Sequence, residues 1–200
     1  MTSAHEDDPG VRLMLAWQAG DEGAFERIVE GYSSQVYALL TRFLGTRQNR
    51  EDLVQDVFLR VLRARDRYEP TARFSTFLYR ITFNIAVNET QRGAARERAL
   101  TSVDAVKQDG DAVFEVADAN AAAPSSALEQ RDVVTAVRRA IAALPENQRM
   151  ALILAKYEEL PYSDIADVLG TSEKAVKSLV HRAREALRGE LAPYLLEELA

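Results

Sequence analysis

The chain is predicted to be all-α, with two small helical domains joined by an acidic flexible linker, and three observations lead there. Apolar residues recur at helical spacing through most of the sequence. No stretch shows the alternation or the hairpin turn chemistry of strands. The periodicity lapses once, in a run rich in acids and alanine, and then resumes. Composition agrees: 200 residues suffice for one ordinary domain or two small ones, and 47% hydrophobic with 28% charged residues suits a chain that folds around a core.

Leu13, Ala16 and Trp17 mark a short leading helix. After Asp21, a candidate cap, Phe25, Ile28, Val29, Tyr32, Val36, Leu39, Leu40 and Phe43 repeat at helical spacing until Gly45 offers a stop. The next helix lies in "NREDLVQDVFLRVLRARDRY" and should bury Leu53, Val54, Val57, Phe58, Val61 and Leu62; another follows in "FSTFLYRITFNIAVNETQR". These helices make a first domain over 10–93. From 94 to 127 the apolar period disappears and Asp104, Asp109, Asp111, Glu115 and Asp118 face a single Lys107, which reads as the linker. A second domain, 128–192, opens with the stripe Val133, Val137, Ile141 and Leu144. It restarts at Pro145 with Met150, Ile153, Leu154 and Tyr157.

Within that domain, "YSDIADVLGTSEKAVKSLVHRA" has the anatomy of a helix-turn-helix. Ser163 can cap a short helix carrying Ile165, Val168 and Leu169, with small Ala166 where two helices cross. Gly170 can end it in the left-handed conformation. Thr171 or Ser172 can cap the last helix, whose Val176, Leu179, Val180, Ala183 and Leu187 face inward. Lys174, Lys177, Ser178, His181, Arg182 and Arg188 are left outside. In a major groove, Lys174, Lys177, Ser178 and Arg182 would meet base edges and phosphates, while Thr171, Ser172 and Arg184 would hold the backbone.

The first domain carries two further patterns. Asp52, Gln55, Asp56 and Leu59, spaced i, i+3, i+4 and i+7, put an outward leucine among acids and an amide. That surface suits a helical protein partner and has the wrong charge for phosphate. Aromatics then concentrate at Tyr68, Phe74, Phe77, Tyr79 and Phe83, and a polar row of Arg80, Asn84 and Asn88 runs toward Arg92, Arg96 and Arg98. Stacking faces, amides that read base edges and arginines that neutralise phosphate together suit single-stranded nucleic acid, although most of the rings must also serve packing.

Other classes are poorly supported. With no cysteine and two distant histidines, His5 and His181, neither a disulfide framework nor a thiolate or histidine metal site is expected. There is no Gly-rich phosphate loop and no triad candidate, so neither catalysis nor a cofactor is expected. The acidic start "MTSAHEDDPG" precedes no sustained apolar run; neither a signal peptide nor a membrane span is expected, and the expected location is the cytoplasm. A stand-alone helix-turn-helix regulator and a protein-binding adaptor remain alternatives at this level.

In order, "FERIVEGYSSQVYALLTRFLG", "REDLVQDVFLRVLRA", "FSTFLYRITFNIAVNETQR", a linker and "LPENQRMALILAKYEELPYSDIADVLGTSEKAVKSLVHRAREALR" closely resemble the bacterial sigma-70 family, specifically the small two-domain ECF (extracytoplasmic function) group. The resemblance implies a factor that binds core RNA polymerase and directs promoter-specific initiation. Asp52, Gln55, Asp56 and Leu59 would meet the clamp helices of the polymerase β′ subunit, and the second domain would sit on the β flap. The minus-10 element would be opened by Asn84, with Phe74, Arg80, Asn88 and Arg92 as neighbours, and one unpaired base would be captured. Lys174, Lys177, Ser178 and Arg182, with Thr171, Ser172, His181 and Arg184, would engage the minus-35 duplex. An anti-sigma factor is a further implied partner, and no C-terminal extra domain is expected. The chain departs from the family pattern at Phe77, where tryptophan is common, and in "NETQRG", where an acid and paired arginines are common.

Overall fold

The computed structural model describes residue 5 and residues 7–45, 50–103 and 124–197, and among these every regular element is helical. The expected acidic linker residues from 104 to 123 lie outside the described residues. Eight α-helices follow in order: α1 (Pro9–Gln18), α2 (Gly23–Leu44), α3 (Arg50–Ala64), α4 (Phe74–Val103), α5 (Pro124–Ala143), α6 (Glu146–Tyr157), α7 (Tyr162–Leu169) and α8 (Glu173–Glu197). A 3-10 turn, Arg65–Arg67, extends α3.

The helix ends follow from local chemistry. Asp8 caps α1 by accepting the Val11 amide at 3.0 Å, with Pro9 opening the helix, where its missing N–H costs nothing. Gly45 ends α2 at φ 73°, its amide returning to the Thr41 carbonyl, and Gly170 ends α7 in the left-handed conformation at φ 61°, ψ 41°. The Ser172 hydroxyl accepts the Ala175 amide at 3.2 Å and starts α8. Two expected caps act otherwise. The Asp21 side chain takes an ion pair with Arg27 while α2 starts at Gly23. Pro161 stands before α7, and Ser163, already inside the helix, turns its hydroxyl to Asp164.

α1 to α4 enclose Val11, Met14, Trp17, Ile28, Val36, Leu39, Leu40, Phe43, Val57, Phe74 and Leu78. The second group of helices buries Met150, Ile153, Leu154, Ile165, Val176 and Val180, and its core is continuous with the first. Where the chain is expected to form two domains on a tether, α6 therefore packs on α2 and α7 packs across α4. Arg149 of α6 is part of this junction: its guanidinium lies over the Phe43 ring and donates to the Phe43 carbonyl at 3.0 Å and to the Leu144 carbonyl at 2.9 Å.

Several sequence expectations change. Leu62 is 45% exposed, because the inward face of α3 is completed by Leu53, Val57, Phe58 and Val61. On α5 the buried stripe is Ala136, Ala140 and Leu144, while Val133 is exposed and Val137 and Ile141 are half-buried; close approach to α8 admits alanine and excludes the larger side chains. Tyr157 is also exposed, with the Arg42 guanidinium 4.8 Å above its ring. α4 runs on through residues 94–103, where an apolar period is missing but alanine, arginine, glutamate and leucine favour helix by propensity. α5 begins at Pro124, and α8 continues through Pro193 to Glu197.

Candidate nucleic-acid and polymerase interfaces

The loop after α3 is fastened from two sides. Gln18, at the end of α1, donates to the carbonyls of Arg65 at 2.6 Å and Tyr68 at 3.1 Å. In return Arg65 donates to the Trp17 carbonyl at 2.6 Å, pairs with Glu22 and lies 4.9 Å above the Trp17 ring. These ties hold residues 68–72 beside the first turns of α4 and leave a cavity of about 260 Å³ between them. It is lined by Tyr68, Glu69, Thr71, Ala72, Thr76, Phe77, Arg80 and, from α7, Asp167.

Two buried hydroxyls border this cavity without a hydrogen-bond partner, those of Tyr68 (7% exposed) and Thr76 (4% exposed). An unmet buried hydroxyl costs about 1–3 kcal/mol, so such groups beside a cavity favour a polar occupant. Burial, and then the Asp8 carboxylate, raise the Tyr68 hydroxyl far above its ordinary value of 10.0, so it stays a neutral donor. The Tyr68 and Phe77 rings stand 5.1 Å apart in edge contact, giving the cavity an aromatic wall. Arg80 adds an exposed cation, and Asn84, Asn88 and Arg92 continue the exposed row along α4.

Phe74, expected to stand beside the captured base, is instead a core residue. It is fully buried, its ring 4.8 Å from that of Tyr32 and 6.4 Å from that of Tyr68. Sequence reasoning noted Tyr68 only as one of several aromatics and did not single out Thr76. The available signal was the Tyr-x-Pro loop feeding directly into a helix whose first turn carries a threonine among aromatics.

Asp52, Gln55, Asp56 and Leu59 are all exposed on one face of α3, Leu59 at 47%. An open cavity lined by Ser33, Ser34, Tyr37, Glu51, Val54 and Gln55 extends that face toward α2. On α8, Val176, Val180 and Ala183 are buried and Leu179 and Leu187 half-buried, as the inward stripe requires. Thr171, Ser172, Lys174, Lys177, Ser178, His181, Arg182 and Arg184 are all exposed. The Ser178 hydroxyl donates to the Lys174 carbonyl at 3.2 Å, and Arg188 pairs with Glu185. No helix among the described residues is long and apolar enough to cross a membrane.

Comparison with known proteins bears on this arrangement directly. Residues 28–96 match the family model described as Sigma-70 region 2, and residues 135–187 match that described as Sigma-70, region 4. The chain is 33% identical over 188 residues to the RNA polymerase sigma-H factor of Pseudomonas aeruginosa, covering 93% of this chain and 95% of that one. It is 31% identical over 182 residues to the ECF RNA polymerase sigma-E factor of Escherichia coli, covering 89% and 92%. Its fold is similar to that of the sigma factor RpoE of Bartonella quintana, solved in complex with the anti-sigma factor NepR (TM-score 0.62, 22% identity, 85% of this chain and 98% of that one). It is also similar to CnrH, solved with the cytosolic domain of CnrY (TM-score 0.60, 23% identity, 90% and 96%). Two region matches in family order, and identity above 30% over nearly the whole length, mean that this chain belongs to the sigma-70 family, in its ECF group, and is a sigma factor that directs RNA polymerase to promoters.

Proposed function

We propose a division of labour within the chain. Residues 10–93 bind core polymerase and handle the minus-10 element, the segment between the end of α4 and the start of α5 acts as linker, and residues 128–192 read the minus-35 duplex. Asp52, Gln55, Asp56 and Leu59 dock on the β′ clamp helices, and the second unit rests on the β flap. A protein with this role works in the cytoplasm, adds no catalytic group of its own and takes no cofactor; phosphodiester formation belongs to the polymerase.

The observation that carries the minus-10 assignment is the cavity between the 68–72 loop and α4, with its two unmatched buried hydroxyls, aromatic wall and neighbouring Arg80. A base lifted from the duplex needs a stacking face and donors or acceptors for its edge, and its phosphates need a cation. The row Asn84, Asn88 and Arg92 would guide the strand beyond Arg80. At the other end, the exposed cations and hydroxyls of α8 meet the major groove. Because the fold neighbours RpoE and CnrH were solved with NepR and CnrY, an anti-sigma factor is also proposed as a partner of this chain.

Permanganate footprinting on a promoter recovered by run-off transcription with purified core polymerase tests the assignment. Asn84→Ala and Arg80→Ala should lose thymine reactivity at minus-10 while still co-purifying with core. Unchanged melting in both variants would sink it. DNA binding at full strength without polymerase would instead favour a stand-alone regulator.

A further inference from the structure

α4 is longer than the core it packs against. Among the described side chains its buried residues end at Glu89; past that point Gln91, Arg92, Ala95, Arg96 and Arg98 are exposed, and Thr90, Gly93 and Ala94 are half-buried. The helix nevertheless runs to Val103, so residues 90–103 carry it about 21 Å beyond the last buried side chain. An arginine-bearing surface that no core requires, in a chain of net charge −6, suits an anionic partner. The direction of each arginine then separates them. Each residue turns an α-helix by about 100°, so the row Arg80, Asn84, Asn88, Arg92 and Arg96 drifts by about 40° at every step and ends about 160° from Arg80. Gln91 and Arg98, by contrast, return to within about 20° of the Arg80 direction, about 16 Å and 27 Å along the axis from it. Ala94 and Ala95 lie between them and leave that side flat. Neither Arg80 nor Arg98 forms an ion pair among the described residues.

We propose that this face is a seat for duplex DNA, on which Gln91 and Arg98 hold backbone phosphates of the promoter segment between the minus-10 and minus-35 elements. The inference rests on the early turns of α4 meeting the minus-10 element. Amide and guanidinium donors match phosphate oxygens, and no aromatic residue follows Phe83 on α4 to stack an unpaired base. The chain leaves α4 toward the minus-35 reader, so the duplex alongside is the one that joins the two elements. With successive phosphates of a strand about 3.4 Å apart along the duplex, Gln91 falls about five base pairs from the captured base and Arg98 about eight. Such contacts carry no sequence information; they fix the register at which the second unit meets its own element.

The test uses the full chain, assembled with core polymerase on a promoter recovered by run-off transcription. Because the chain has no cysteine, single substitutions can carry a tethered iron chelate whose hydroxyl radicals cut nearby DNA. Arg73→Cys, exposed beside the cavity loop, should cut at the minus-10 element. Gln91→Cys and Arg98→Cys should cut about five and eight base pairs upstream of it, and Arg96→Cys, facing away, far more weakly there. Cutting from position 73 without spacer cutting from position 98 would overturn the inference and leave the minus-10 reading standing. No cutting from either would overturn both, and equal cutting from 96 and 98 would overturn the directed face. Promoter binding across a salt series gives the second measurement. Arg98→Ala should lower the salt slope by about one phosphate contact and weaken binding about eightfold at about 0.1 M salt, and Arg98→Lys should restore most of both. A slope unchanged by Arg98→Ala would overturn the phosphate contact.

Discussion

At the scale of single residues, chemistry is decided by what surrounds each side chain. Tyr79 shows this: burial first, and then its hydrogen bond to Glu158, raise its hydroxyl far above the ordinary 10.0. Tyr68 and Tyr32 are raised too, chiefly by burial. The folded chain thus keeps protons that the unfolded chain releases near pH 10. The stability these phenols contribute is complete below pH 10 and is lost as pH rises through the raised values. Urea midpoints should therefore hold at pH 8, begin to fall at pH 10 and fall further at pH 11, and Tyr79→Phe should blunt the fall. Gly10 is a second case. A Cβ there would stand 2.5 Å from both the Phe74 ring and the Tyr32 hydroxyl, so Gly10→Ala should cost about 1–3 kcal/mol in thermal unfolding by overpacking. The outward leucine also belongs here. Leu59→Ala with Asp56→Ala removes exposed groups, so the fold should keep its melting temperature while co-purification with core polymerase drops.

At the scale of elements, the helices were legible in the sequence wherever a core imposed its period. The stripes of α2, α6 and α8, and the stops at Gly45 and Gly170, could be read because tertiary burial and left-handed turns leave strong residue preferences. α4 beyond residue 93 could not, since propensity without packing leaves no stripe. α5 misled for the opposite reason: valines and an isoleucine outline a face in sequence, yet the close crossing with α8 selects Ala136 and Ala140. The candidate site was half legible. The rows of α3, α4 and α8 were visible as periodic polar positions. The cavity was not, because it depends on Gln18 reaching the carbonyls of a loop some fifty positions onward. Gly170→Ala should cost about 1–2 kcal/mol, because a Cβ at φ 61° is strained, and should tilt the start of α8. Lys177→Ala with Arg182→Ala should leave unfolding unchanged, weaken minus-35 binding by the holoenzyme and lower its salt dependence by about two phosphate contacts.

At the scale of the whole molecule, net charge of −6 and a cationic reading helix coexist because charge is divided by place. Acids lie on α3 and in the linker sequence, while cations line α8 and the later turns of α4. The two halves share one apolar core, so heat should unfold the chain in a single transition, and a loss confined to the junction should destabilise both halves together. Arg149→Met would test this by scanning calorimetry, with an expected cost of about 3 kcal/mol from the carbonyls left unmet. Arg149 also bears on how freely such a junction can drift in sequence. Its hydrogen-bond acceptors at Phe43, Ala142 and Leu144 are main-chain oxygens, which every amino acid supplies equally, while its contact with a ring is at Phe43. In a saturation-mutagenesis library, position 149 should tolerate almost no replacement. Positions 142 and 144 should accept whatever their packing allows, with no compensating change required at 149, so these hydrogen bonds are specified from the arginine side.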